Sequence, residues 1–200
     1  MLRCLALLLL FSPVANAQEG AIYNGNLVGW GLGSYGQDRL PPTATPARVL
    51  AAGLAFSVAI RVDGGGAVWG YDVTDAMAYP ADAGTIVALS AGHRHALALQ
   101  DDGTVVAWGD NSDAQAPPDL SIGDAAAVSA GAYHSLVLRA NGTVVAWGSD
   151  SFGQASPPAG LTDVVAIDAG AYHSLALRAD GTIAAWGRDE DGQASPPADL

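Results

Sequence analysis

Residues 182–197 read TIAAWGRDEDGQASPP and residues 143–158 read TVVAWGSDSFGQASPP, nearly the same sixteen letters. The tryptophans set the step: Trp30, Trp69, Trp108, Trp147 and Trp186 each lie 39 residues from the next. A fixed period of that length marks a repeat architecture, in which one supersecondary unit is copied along the chain. Other positions keep the same step. Asn-Gly or Asp-Gly pairs stand at 24–25, 63–64, 102–103, 141–142 and 180–181, and Ala-Gly pairs at 52–53, 91–92, 130–131 and 169–170. Gln37, Gln115, Gln154 and Gln193 fall in register, with Ala76 the exception. No insertion or deletion interrupts the step from Gln18 to Leu200.

One unit reads as strands throughout. DVVAIDAG (163–170) is a short apolar run closed by glycine, HSLALRAD (173–180) alternates up to a turn, and TIAAWG (182–187) returns. The Asp-Gly pair predicts a two-residue hairpin turn. GQASPP is extended and proline-rich, which predicts a fourth strand at the outer edge, where a missing N–H does no harm. Four short strands leave no room for helices. Such a unit has apolar residues on both faces and cannot bury them alone. Copies stacked face to face around a ring bury them against one another. The expected fold is all-β, a β-propeller of four-stranded antiparallel blades with each Trp packed between blades.

The pattern A-G-x-x-H-S-L-A-L-R-x-D-G-T-V-V-A-W-G followed by G-Q is best matched by residues 130–154 and 169–193. It resembles the regulator of chromosome condensation repeat. The second unit departs most: Phe56 stands where His95, His134 and His173 stand, and residues 70–81 lack the Gly-Gln. The resemblance implies a seven-bladed propeller. The short, gapless unit is similar to a bacterial secreted branch that includes β-lactamase inhibitor proteins. Residues 18–200 hold about 4.7 units of 39 residues, so the expectation is an incomplete ring, open at the C-terminus. An open blade edge invites pairing with another chain, and self-association is expected from it.

The first 17 residues, MLRCLALLLLFSPVANA, carry one charge at Arg3, an apolar run from Leu5 to Phe11 and the small-residue pattern Ala15-Asn16-Ala17. That is the layout of a secretory signal peptide, too short in its apolar run to span a bilayer. The expected domains are residues 1–17 as signal and 18–200 as propeller repeats, in a secreted or periplasmic protein without membrane insertion. Cys4, the single cysteine, falls inside the leader, which excludes disulfides from the remainder. The net charge is −12, with eight arginines and no lysine against twenty acids. So acidic a surface repels phosphate backbones, and no nucleic-acid partner is expected.

No catalytic constellation, cofactor site or metal site is expected. His95, His134 and His173 are related by the repeat, and equivalent positions on separate blades lie too far apart to share one ion. Each reads as a buried histidine hydrogen-bonded within its own blade. The loops DNSD (110–113) and DEDG (189–192) lack the ligand set of a calcium loop and read as acidic turns. GLGSYG (31–36) matches a dinucleotide fingerprint in letters only, because QDRLPPTATP cannot form the required helix. There is no G-x-S-x-G or H-E-x-x-H. Asn141-Gly142-Thr143 is a glycosylation acceptor in form, with its Asn-Gly already explained by the turn.

Strands one and three run the same way, so the one-to-two and three-to-four loops emerge on one face. That face collects Tyr35, Arg94, Tyr133, Phe152 and Tyr172. Aromatics and arginine on loops of a rigid scaffold are the usual raw material of binding hot spots. The favoured reading is an exported, non-enzymatic scaffold that binds a protein or other macromolecule through these loops. The resemblance carries an alternative, an inhibitor of an extracellular or periplasmic enzyme such as a β-lactamase. A propeller lyase is the second alternative.

Overall fold

The computed structural model describes residues 27, 29, 34–44, 46–71, 78–81, 83–117 and 120–197. The signal peptide, Trp30, the Asn-Gly pair at 24–25 and Ala76 lie outside them. A single turn of 3-10 helix, Pro42–Ala44, precedes twelve strands in four sheets. These are β1 (Ala47–Ala52), β2 (Phe56–Arg61) and β3 (Gly66–Gly70), then β4 (Ile86–Ala91), β5 (His95–Gln100) and β6 (Val105–Gly109). The third sheet is β7 (Ala125–Ala130), β8 (His134–Arg139) and β9 (Val144–Gly148), and the fourth β10 (Val164–Ala169), β11 (His173–Arg178) and β12 (Ile183–Gly187). Each sheet is an antiparallel meander in chain order.

The blades are three-stranded among the described residues, not four-stranded as expected. The proline-rich segment 154–159 forms no ladder. Pro157 and Pro158 have no N–H to donate, and the loop before them is held by side chains instead. Asp150 accepts from the Ala155 N–H at 2.7 Å and the Ser156 hydroxyl at 2.6 Å. Asp189 holds Ala194 at 2.8 Å in the same way and also accepts from the Ser195 hydroxyl. The acidic loops are therefore staples of the connection, and the Ser195 and Ala194 donors hold the Asp189 carboxyl below its ordinary range.

The hairpin turns also differ from expectation. Gly142 N–H donates to the Arg139 carbonyl at 2.9 Å, and Arg139 N–H to the Thr143 carbonyl at 2.9 Å. Gly142 has φ +78°, whereas Asn141 is not among the positive-φ residues. The loop is thus a tight turn followed by a left-handed glycine, the three-residue form. Asn141 keeps a negative φ because its Oδ1 accepts from the Thr143 N–H at 3.0 Å. The other three sheets repeat the device with Asp63, Asp102 and Asp180.

Consecutive sheets pack face to face, with β1, β4, β7 and β10 side by side along the inner edge. Phe56, Val58 and Ile60 of the first sheet meet Ile86, Ala98 and Trp108 of the second. Leu99 meets Val137 and Trp147 at the next seam, and Leu136 and Leu138 meet Val164, Ala176 and Trp186 at the last. The fourth sheet forms no packed seam with the first, so the ring is not closed among the described residues.

One loop position forces a non-glycine residue into the left-handed region. Gly36, Gly153 and Gly192 precede the register glutamines with φ of 77–80°, whereas Ala114 holds φ +61° at the same position. Ala114→Gly is expected to raise stability by about 1 kcal/mol by relieving the left-handed alanine. An unchanged or lower urea midpoint at constant slope would contradict that.

Candidate interaction face

A hydrogen-bonded latch crosses each of the last two seams and fixes how the loops stand. Ser135 donates its hydroxyl to the Gln115 carbonyl at 2.8 Å, and the Trp147 indole N–H donates to the same oxygen at 2.9 Å. The Gln115 side chain accepts from Asp113 N–H at 2.8 Å. Because the serine proton is committed, its oxygen accepts from His95 Nε2–H of the preceding sheet at 3.0 Å. His134, Ser174, Gln154 and Trp186 repeat the set at 2.9, 2.8 and 2.9 Å. The histidines therefore bond across the seam to the next blade, not within their own blade.

The pairing has an apolar variant. At the first seam Phe56 stands in the histidine position and Ala96 in the serine position, so both polar partners are replaced together. Removing only one would leave a buried polar group unmatched, at about 1–3 kcal/mol. His95 and His134 are fully buried, and their Nδ1 atoms have no hydrogen-bond partner among the described residues. Burial, and secondarily the next histidine along, lowers each pKa from 6.5 to about 4. These rings are neutral seam parts. Among the described residues no three His, Cys, Asp or Glu side chains gather as a metal site.

Above the seams, the one-to-two and three-to-four loops bring together the side chains that the sequence singled out. Tyr133 and Tyr172 stack with centroids 6.0 Å apart, and Phe152 meets Tyr172 edge-on at 5.7 Å. Arg188 lies over both Phe152 and Tyr172, at 5.7 and 6.0 Å. On the other side, His93 Nδ1 and the Tyr133 hydroxyl share a 2.7 Å hydrogen bond. Burial, then the neighbouring Arg94, holds His93 below its ordinary pKa, with Asp110 opposing. Arg94 sits over the Tyr71 ring at 5.1 Å, and Tyr71 packs on Tyr35 at 4.8 Å. Two ring clusters thus meet at the adjacent residues His93 and Arg94, forming a band across four blades.

Tyr35 is 55% exposed and Phe152 45% exposed, so the ends of the band face solvent. Tyr71, His93 and Arg188 were not singled out as members of this face. A signal for two of them was present: Tyr71 and Arg188 occupy the residue after Trp-Gly, a position that varies from unit to unit as Leu, Tyr, Asp, Ser and Arg. His93 and His95, a pair in the sequence, serve separate ends: one joins the loop band and the other the buried latch.

The regulator of chromosome condensation (RCC1) repeat model matches residues 86–115, 125–154 and 164–193. A search of curated protein sequences finds no match. Among solved structures, the ectodomain of the Physcomitrella patens receptor kinase CR4 is similar with a TM-score of 0.64 at 27% identity, over 79% of this chain and 46% of that one. Prp20p from Saccharomyces cerevisiae is similar with a TM-score of 0.63 at 22% identity, over 80% of this chain and 49% of that one. The chain therefore spans about half the length of the structures it matches. Each matched segment runs from the first strand of a blade to its register glutamine, so one latch takes its histidine and glutamine from one segment and its serine and tryptophan from the next. The chain carries three RCC1 repeats, and its four sheets are blades of the propeller kind seen in those structures.

Proposed function

We infer that the chain is an exported, non-enzymatic scaffold that binds a protein partner through the aromatic band. One observation carries the reading: six rings and two guanidinium groups from loops of four blades meet on one face while its ends stay exposed. Packed blades fix the loops in advance, so little ordering entropy is lost on binding. The similar Prp20p is described with binding properties toward Gsp1p and histones, and yeast RCC1 has been solved bound to Kap60. Those partners belong to those proteins. They support the class of activity, protein binding by a propeller. Export rests on the layout of residues 1–17, and the bacterial secreted branch on the gapless 39-residue unit.

The test is capture of partners from envelope extract by the chain and by Phe152→Ala and Tyr172→Ala forms. Each substitution is expected to cost about 2 kcal/mol of binding, roughly thirtyfold in Kd, if the band is a hot spot. Equal capture by all three forms would remove the band from the interface. If the captured protein is a hydrolase whose activity falls on mixing, the scaffold acts as an inhibitor. The N-terminal residue of chain recovered outside the cytoplasm checks the export step, with a start near Gln18 expected.

A further inference from the structure

The turn between β8 and β9 carries an amide where the other described turns carry acids: Asn141-Gly142 stands in register with Asp63-Gly64, Asp102-Gly103 and Asp180-Gly181. An amide beside glycine has a reaction of its own. The Gly142 nitrogen, with no side chain to shield it, can lose its proton and attack Cγ of Asn141. The N–Cγ bond forms, and the Cγ–Nδ2 bond breaks with loss of ammonia. Water then opens the cyclic imide at one of two carbonyls. Cleavage of the new bond leaves aspartate. Cleavage of the old peptide bond leaves isoaspartate, whose main chain runs through Cβ. The net change exchanges amide and water for acid and ammonia, and no oxidant or catalyst is needed.

In the folded turn both reacting groups are occupied. The Gly142 N–H donates to the Arg139 carbonyl at 2.9 Å, which holds the proton that must leave. Asn141 Oδ1 accepts from the Thr143 N–H at 3.0 Å and from the Thr143 hydroxyl at 2.7 Å. The carboxamide must turn away from both to present Cγ to the nitrogen. We propose that Asn141 is a self-deamidating site gated by its bonds to Thr143. The residue is exposed, so local opening of the turn releases it without unfolding the sheet. The aspartate product is silent, because Asp180 takes the same two bonds from Thr182, at 2.9 and 2.7 Å. Isoaspartate is not. Its extra main-chain carbon displaces the Gly142 carbonyl from the Val164 N–H of the next blade, which it meets at 3.1 Å. The neighbouring acids are poorer substrates, since a carboxyl cyclises only when protonated. The Thr104 N–H and hydroxyl hold the Asp102 carboxyl below its ordinary range, and the Thr182 hydroxyl and N–H do so for Asp180.

Mass spectrometry of the tryptic peptide from Ala140 to Arg178, in which Asn141 is the single asparagine, follows the conversion during incubation at mildly alkaline pH. Folded wild type is expected to convert at least about tenfold more slowly than the same chain in urea. Thr143→Val keeps the N–H bond and loses the hydroxyl. It is expected to convert about threefold faster than wild type when folded, the worth of one hydrogen bond, and at the wild-type rate in urea. Circular dichroism confirms that the variant keeps its strands. Asn141→Asp is expected to unfold at the wild-type urea midpoint, whereas chains carrying isoaspartate at 141 unfold earlier. No acid at position 141 in urea, equal rates folded and unfolded, or a folded valine variant no faster than wild type would each overturn the proposal.

Discussion

Lowering the pH from about 6.5 to 4 is expected to strip several kcal/mol from the folding stability, before most carboxylates titrate. The cause is the pair His95 and His134, each with a folded pKa of about 4 against the ordinary 6.5. A depressed base pKa means that the unfolded chain binds protons first. The stabilisation is complete above pH 6.5, declines as pH falls through the window, and is exhausted near pH 4. Each histidine accounts for about 3 kcal/mol over that range, at 1.36 kcal/mol per pH unit. The physical reason lies in the latch: Nε2–H is spent on serine, and a second proton would enter at Nδ1, where no acceptor waits. Urea unfolding at intervals between pH 7.5 and 4 measures the slope. The double variant His134→Phe with Ser174→Ala copies the apolar pair Phe56–Ala96 already present at the first seam. It is expected to fold and to lose about half of the pH dependence. A flat profile for wild type would show that the histidines are not neutral seam parts.

Gly148→Ala is expected to destabilise the third blade by at least about 3 kcal/mol. The residue after each described tryptophan has a φ of +100 to +111° (Gly70, Gly109, Gly148 and Gly187). For alanine such a backbone costs about 1–3 kcal/mol. A Cβ at Gly148 would also lie 2.7 Å from the Tyr133 carbonyl oxygen and 2.8 Å from the His134 Cα, both backbone atoms that cannot swing aside. The clash falls at the start of β8, where the latch histidine sits. Gly153→Ala is the control for strain without overlap, since φ is +80° and nothing lies within 4 Å of its Cβ. It is expected to cost about 1 kcal/mol, the usual penalty of a left-handed alanine. Equal losses for the two variants in thermal or urea unfolding would discard the overlap term.

Both results depend on positions that recur every 39 residues, and that is why so much was legible. Trp-Gly at the end of strand three, Ala-Gly after strand one and the alternation of His-Ser-Leu-Ala-Leu each report a local geometry that every copy needs. Strand order, the absence of long helices among the described residues, the role of Trp108 and Trp186 at seams, and the face bearing Tyr133, Phe152 and Tyr172 follow from them. The fourth strand was misjudged because an extended, proline-rich segment looks the same whether it pairs or is tied down by Asp150. The hairpin was misjudged because Asn-Gly serves both a two-residue and a three-residue loop, and the choice rests on whether the asparagine side chain bonds Thr143.

By itself, the sequence determined the unit: its length, the places of strands one to three, where the chain turns between them and the residues it must bury, since these depend on contacts inside one period. Only the tertiary structure decided what meets what across a period. His95 finds Ser135 and His134 finds Ser174, forty residues on, because sheet faces pack in a rotation that no periodicity encodes. Arg188 reaches Phe152 and Tyr172 for the same reason, as loops of neighbouring blades converge over a shared seam. A repeat states what each copy needs from its neighbour, and close packing of one sheet on the next chooses the atoms that supply it.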